Sequence, residues 1–122
     1  MVAGKVERSE ATQALASIAA RVDAVWICLG DLGAQIGPAG LARFVAALEP
    51  AASLRPMLMA GQVLEHLTRH AAPTRSEVCH LFDLLARGYA GIVLSDETAV
   101  GDHPVRAVEV ASSLVAGFKP LL

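Results

Sequence analysis

An alternation that occurs four times constrains this chain more than any other feature: a short apolar run, then a longer segment with helical periodicity. The apolar runs lie near Val2–Glu7, Ala24–Leu29, Pro56–Ala60 and Gly91–Ser95. Ala24-Val25-Trp26-Ile27-Cys28-Leu29 is apolar throughout, as a strand covered on both faces must be, and strands joined by crossover helices run parallel. The predicted fold class is therefore α/β: four consecutive βα units with parallel strands, equivalent to a half TIM barrel. A full eight-stranded barrel of this kind closes at roughly 250 residues. A small open α/β sheet is the alternative. The 122 residues hold one core, and no Ser/Pro/Gly-rich linker divides them, so residues 1–122 are read as a single domain.

The segments between the strands carry helix signals. One helix is expected over Ser9–Arg21, with the Ser9 hydroxyl as N-cap and Glu10 in its first turn. Another is expected over Leu41–Ala52, and a helical stretch runs to His70 before Ala71-Ala72-Pro73 interrupts it. Thr74 and Glu77 have the spacing of a capping box, opening a helix that Gly88 ends. The last helix begins after His103 with Pro104 in its first turn and stops at Phe118-Lys119-Pro120. Apolar residues make up 54% of the chain and aromatics only 4%, so the core must be built from Ala, Val, Leu and Ile. Cys28 and Cys79 each sit in apolar patterns and read as buried free thiols.

Several function classes lose support. The 10 basic and 12 acidic residues are scattered, for a net charge of −2, which gives no broad basic surface for nucleic acid. No apolar run reaches the roughly 18 to 20 residues that span a bilayer, and Met1-Val2-Ala3-Gly4-Lys5 lacks the apolar stretch of a signal peptide; no membrane partner and a cytoplasmic location are expected. Gly30, Gly33 and Gly37 do not have the spacing of a dinucleotide-binding fingerprint, no phosphate loop is present, and no nucleophile elbow appears. His66 and His70, one helical turn apart, could ligate a transition metal, but no third ligand stands out and a solvated helix face is expected.

Parallel α/β folds bind ligands beyond the carboxyl ends of their strands. This sequence places Lys5 and Glu7 there after the first strand, Gly30 and Asp31 after the second, Gly61 and Gln62 after the third, and Ser95, Asp96, Glu97 and Thr98 after the fourth. Glu7 and Asp31 could share Mg²⁺, which favours carboxylate oxygens and keeps several waters for a phosphorylated substrate to replace. Backbone N–H groups of Gly30–Gly33 could hold a carboxylate or phosphate, with Lys5 adding a full positive charge. Helix capping is the alternative role for such strand-end carboxylates.

Lys5-Val6-Glu7, Gly30-Asp31-Leu32-Gly33, Pro73-Thr74-Arg75-Ser76-Glu77-Val78 and Leu94-Ser95-Asp96-Glu97-Thr98-Ala99 resemble, in order and at similar separations, successive motifs of pyruvate kinase. The segment Gly101–Val108 is similar to that family's G-x-Y-P-x-x-A-V. The resemblance implies the second half of the catalytic barrel, where Mg²⁺ and phosphoenolpyruvate bind and a phosphoryl group passes to ADP. It makes Glu7 and Asp31 the metal ligands and Lys5, Gly30, Asp31 and Gly61 the substrate-binding positions. Lys5, Ser95 and Glu97 become the candidate catalytic residues. Four positions depart from the family pattern: Gly61 stands where a threonine is expected, Leu29 for an arginine, Arg8 for an asparagine and Asp96 for a glycine. The resemblance leaves the barrel's first four strands, its lid domain, its regulatory domain and its potassium site outside the residues of this chain. Weak or absent turnover is expected, with a phosphoenolpyruvate- or pyruvate-like anion as ligand and a homodimer or partner chain completing the barrel. The alternative is a degenerate, non-catalytic half-barrel that binds an anion or metal or serves as a subunit-interaction module.

Overall fold

The structure is a computed structural model that describes residues 1–122. Strands β1 (Ala3–Val6), β2 (Ala24–Cys28), β3 (Met57–Ala60) and β4 (Gly91–Val93) form one parallel sheet in the order β1-β2-β3-β4. This is the α/β arrangement expected from the fourfold alternation, with every strand followed by helix. Side chains alternate across a pleated strand, so the register assigns each to a face. Val6, Val25, Ile27, Met57 and Met59 point to the helices and are at most 4% exposed. Lys5, Trp26, Leu58 and Gly91 pair across the sheet on the other face, as do Cys28, Ala60 and Val93. On that second face only Ala24 and Cys28 are buried.

Helices pack on the first face around a core of 16 buried residues. Helix α4 (Arg75–Ala86) contributes Leu81, Leu84 and Leu85, spaced to lie on one helical stripe. Cys79 falls off that stripe and is exposed, against the expectation of a buried thiol, whereas Cys28 is buried. Helix α6 (Pro104–Phe118) approaches through the small residues Ala107 and Ala111. The capping box of α4 is present, with the Thr74 hydroxyl accepting from the Glu77 N–H at 3.1 Å and Glu77 Oε2 accepting from the Thr74 N–H at 2.8 Å. Gly88 follows at φ 96°, where a Cβ would lie 2.6 Å from that of Ala51. No helix is long and apolar enough to cross a membrane.

Three connections differ from expectation. The single helix over Ser9–Arg21 is two short ones, α1 (Ser9–Gln13) and α2 (Leu15–Ala19), separated at Ala14 with φ −102° and ψ 13°. Arg8, with extended backbone, is the N-cap and Ser9 is the first helical residue, its N–H donating to the Gln35 side-chain carbonyl. Helix α3 spans Leu29–Ala47 instead of 41–52. It starts directly from β2 and passes a break at Gly37 (φ 73°, ψ 170°), a conformation open to glycine, after which Pro38 restarts the helix with its missing N–H at no cost. Its end is clasped by the Arg87 guanidinium, which donates to the carbonyls of Val45 and Leu48 at 2.9 and 3.0 Å. Finally, the stretch leading to His70 holds only a 3₁₀ turn, Glu65–Thr68, because its backbone and side chains bond outward. The His66 N–H donates to Glu77, and the Thr68 carbonyl accepts from the Asp102 N–H.

Candidate functional site

The carboxyl ends of all four strands open into one cleft of about 490 Å³. From β1 come Lys5 and Glu7, two residues apart and therefore on the same side of the strand. Their side chains form an ion pair, with Lys5 Nζ 2.6 Å from Glu7 Oε1. The hydrogen bond and opposite charge of Glu7 hold the Lys5 ammonium above the usual lysine range, and the same hydrogen bond holds the Glu7 carboxyl below the usual carboxylate range. The attraction is thus present near neutrality. It fades as pH falls through the lowered Glu7 value, and again as pH rises through the raised Lys5 value. Both groups stay charged across the physiological range.

From β2 come Trp26 and Cys28, and from the start of α3 come Gly30 and Asp31. No side chain caps the first turn of α3, so its N-terminal N–H groups meet the cleft unblocked by a cap. Cys28 lies beside Glu7; burial, and then the neighbouring Glu7 charge, pushes its thiol up to about 11, so it is not a nucleophile at neutral pH. After β3 the chain turns through Gly61 (φ 76°) and Gln62 (φ 57°). This sharp turn brings the Gln62 amide toward Gly30, whose absent Cβ would sit 3.7 Å from Gln62 Nε2.

After β4, Ser95 turns the chain into the one-turn helix α5 (Asp96–Ala99). Glu97 is 2% exposed, and its Oε2 accepts from the Ser95 N–H at 2.7 Å, so one of its oxygens is committed to holding that turn. Ser95 and Asp96 are exposed beside it. The cleft thus collects every expected site residue: Lys5, Glu7, Gly30, Asp31, Gly61, Ser95 and Glu97. It also contains Trp26, Cys28 and Glu65, which sequence reasoning missed. Trp26 and Cys28 continue the every-second-residue pattern that Lys5 and Glu7 set on the neighbouring strand, a signal hidden because β2 is apolar at every position. Five carboxylates (Glu7, Asp31, Glu65, Asp96, Glu97) face a single cation, Lys5.

No group of three or more His, Cys, Asp or Glu side chains converges on a point that could hold a metal. Glu7 and Asp31 nevertheless supply two carboxylates to one cleft, and Mg²⁺ is commonly held by one or two carboxylates with water and substrate phosphate completing its shell. The residues therefore fit Mg²⁺. His66 and His70 do not make a second centre: their rings stack at 3.7 Å with planes 3° apart, so their nitrogens cannot converge on one ion. His66 Nδ1 is bonded to the Ala72 carbonyl.

Fold and cleft together define an α/β protein of the parallel-barrel class with a charged site at the carboxyl ends of its strands. The family model for the pyruvate kinase barrel domain matches residues 1–108, and the chain belongs to that family. It is 33% identical over 117 residues to a pyruvate kinase of Chlamydia trachomatis serovar D, covering 93% of this chain and 24% of that protein. It is 32% identical over 125 residues to a pyruvate kinase of Buchnera aphidicola, covering 98% and 26%. The solved pyruvate kinases of Cryptosporidium parvum and Pyrobaculum aerophilum superpose with TM-scores of 0.82 and 0.83, each at 28% identity. They align over 98% and 96% of this chain but only 25% and 28% of their own. The chain spans about a quarter of the length of the relatives it matches.

Proposed function

We propose that the cleft binds Mg²⁺ together with a small carboxylated phosphate of the phosphoenolpyruvate type, and that this chain alone transfers little or no phosphoryl group to ADP. The observation that carries this reading is the Lys5–Glu7 pair standing beside Asp31 and the uncapped start of α3 in one cleft. Glu7 and Asp31 would hold the metal, which supplies positive charge to oxygens that gain negative charge. Lys5, kept protonated, neutralises a phosphoryl or enolate oxygen from the other side. The N–H groups around Gly30 and Asp31 donate to the substrate carboxylate, as helix N-termini do for anions. Phosphoryl transfer needs mainly positioned charge, so these groups support binding.

Turnover is a different matter. Gly61 offers no hydroxyl above β3, and Leu29 presents hydrocarbon where the family pattern has an arginine. Glu97 is tied to Ser95, which favours a role for both in shaping the rim. With five carboxylates against one lysine, the cleft repels an anion until a divalent cation is bound. Phosphoenolpyruvate should therefore bind measurably in calorimetry only when Mg²⁺ is present. Glu7→Ala and Asp31→Ala should each weaken Mg²⁺ binding at least about tenfold, and Lys5→Ala should weaken the anion while sparing the metal. Unchanged Mg²⁺ affinity in both carboxylate variants defeats the metal assignment. The second reading, a non-catalytic binding module, is separated by a coupled phosphoenolpyruvate and ADP assay. Little or no turnover is expected; roughly 1 to 100 per second by this chain alone rules out the non-catalytic reading and equally overturns the expectation of weak turnover.

A further inference from the structure

We propose that two copies of this chain close one eight-stranded barrel, β4 of each pairing with β1 of the other, and that the partner's Arg8 meets Asp96 at the rim of each cleft. The sheet is parallel throughout, with β1 and β4 at its two ends. Each outer edge carries a row of backbone donors and acceptors that is a ready template for pairing with another strand. Because the two free edges belong to opposite ends of one sheet, a two-fold rotation about the barrel axis joins both seams at once. The assembly then closes and does not grow into a fibre. Four strands from each copy give eight, the number at which a barrel's interior is filled by side chains.

The surface supports a missing half. A compact monomer of 12.7 kDa exposes about 6,200 Å². This chain exposes 6862 Å². The excess, roughly 600 Å², approaches the roughly 800 Å² that one partner contributes to a standard interface. An apolar groove of about 650 Å³ runs between β4 and α6, with Lys119 at one end. Val105, Val108, Leu121 and Leu122 are exposed on or just beyond α6, and Met1 and Val2 are exposed at the foot of the opposite seam. The uncovered inner face, with Trp26 and Leu58 half exposed, gains the layered filling that a closed barrel gives.

Charge fixes which ends meet. Parallel pairing sets the carboxyl end of β1 beside that of β4. Arg8 lies two residues past β1 and Asp96 three residues past β4, so opposite charges stand just beyond the two strand ends that the seam brings side by side. Within its own chain Arg8 has only the exposed Glu10 at 3.6 Å, and Asp96 has no ionic partner. These are two of the four departures from the family pattern, one introducing a cation and the other an anion. Asp96 lines the cleft, so the partner's Arg8 brings a second positive charge to a site whose own chain supplies only Lys5. The site is incomplete without its partner.

Sedimentation equilibrium on the whole chain tests this without any ligand, so it stands or falls apart from the binding reading above. A dimer is expected at micromolar concentration. Arg8→Asp and Asp96→Arg should each weaken it at least about tenfold, since each reversal sets two like-charge pairs across the seams, and the double variant should return the affinity to within about threefold. Both residues are exposed, and circular dichroism should show the same fold in every variant. A monomer, an assembly larger than two, or a dimer indifferent to the single reversals overturns the proposal.

Discussion

At Gly61 the backbone enters the left-handed region and stays there for Gln62, directly above the end of β3. A Cβ at Gly61 would meet nothing closer than the Ser95 Cβ at 3.9 Å, so space is not what requires glycine there; the φ of 76° is. Threonine, the residue of the family pattern, is β-branched and strained at such an angle. Gly61→Thr is therefore expected to lower unfolding stability by about 1 to 3 kcal/mol in urea titration, without raising turnover. A variant as stable as the parent would show that the turn relaxes readily. Lys5 and Glu7 were legible from the sequence because charge inside an apolar strand is conspicuous. The bond from the Ser95 N–H that engages Glu97 was not, since spacing two residues apart says nothing of which oxygen turns inward.

Helix α4 shows how an element can be legible at its start and opaque beyond it. The Thr74 and Glu77 spacing announces the capping box, but Glu77 Oε1 also accepts the His66 N–H at 2.8 Å, eleven residues away, pinning the 3₁₀ turn after β3 to α4. Truncating the two caps should differ accordingly. Thr74→Ala removes one capping bond, at about 1 kcal/mol, whereas Glu77→Ala strips partners from two N–H groups and should cost about 2 to 3 kcal/mol. Equal losses in chemical denaturation would mean that the His66 bond contributes nothing. Elsewhere the strands are legible because each apolar run is short, bounded and followed by a segment of helical periodicity. The break at Ala14 was invisible, since alanine is the best of helix formers and nothing in the local sequence marks a stop there. Helix α3 departs in the opposite direction: a helix is expected only from Leu41, whereas α3 starts at Leu29 and resumes directly after its break at Gly37.

For the whole molecule, the four-strand sheet positions chemistry and leaves a face open with the same set of residues. Lys5, Trp26 and Cys28 lie on the side away from the helices, where a second half-barrel would stand. The parallel order was legible from the fourfold alternation. Which side chains the open face presents was not, because a strand apolar at every position gives no parity to read. Trp26 is the chain's sole tryptophan, and it sits half exposed on that face, paired across the sheet with Lys5. The protein therefore carries its own optical reporter at the point where ligand and partner both arrive. Indole emission moves to shorter wavelength as water is withdrawn, so concentrating the protein should shift Trp26 to the blue if the barrel closes. Adding Mg²⁺ and anion at fixed concentration should quench or shift it again, and emission unmoved by either would place both events away from this face. No label is needed to watch the two equilibria separately.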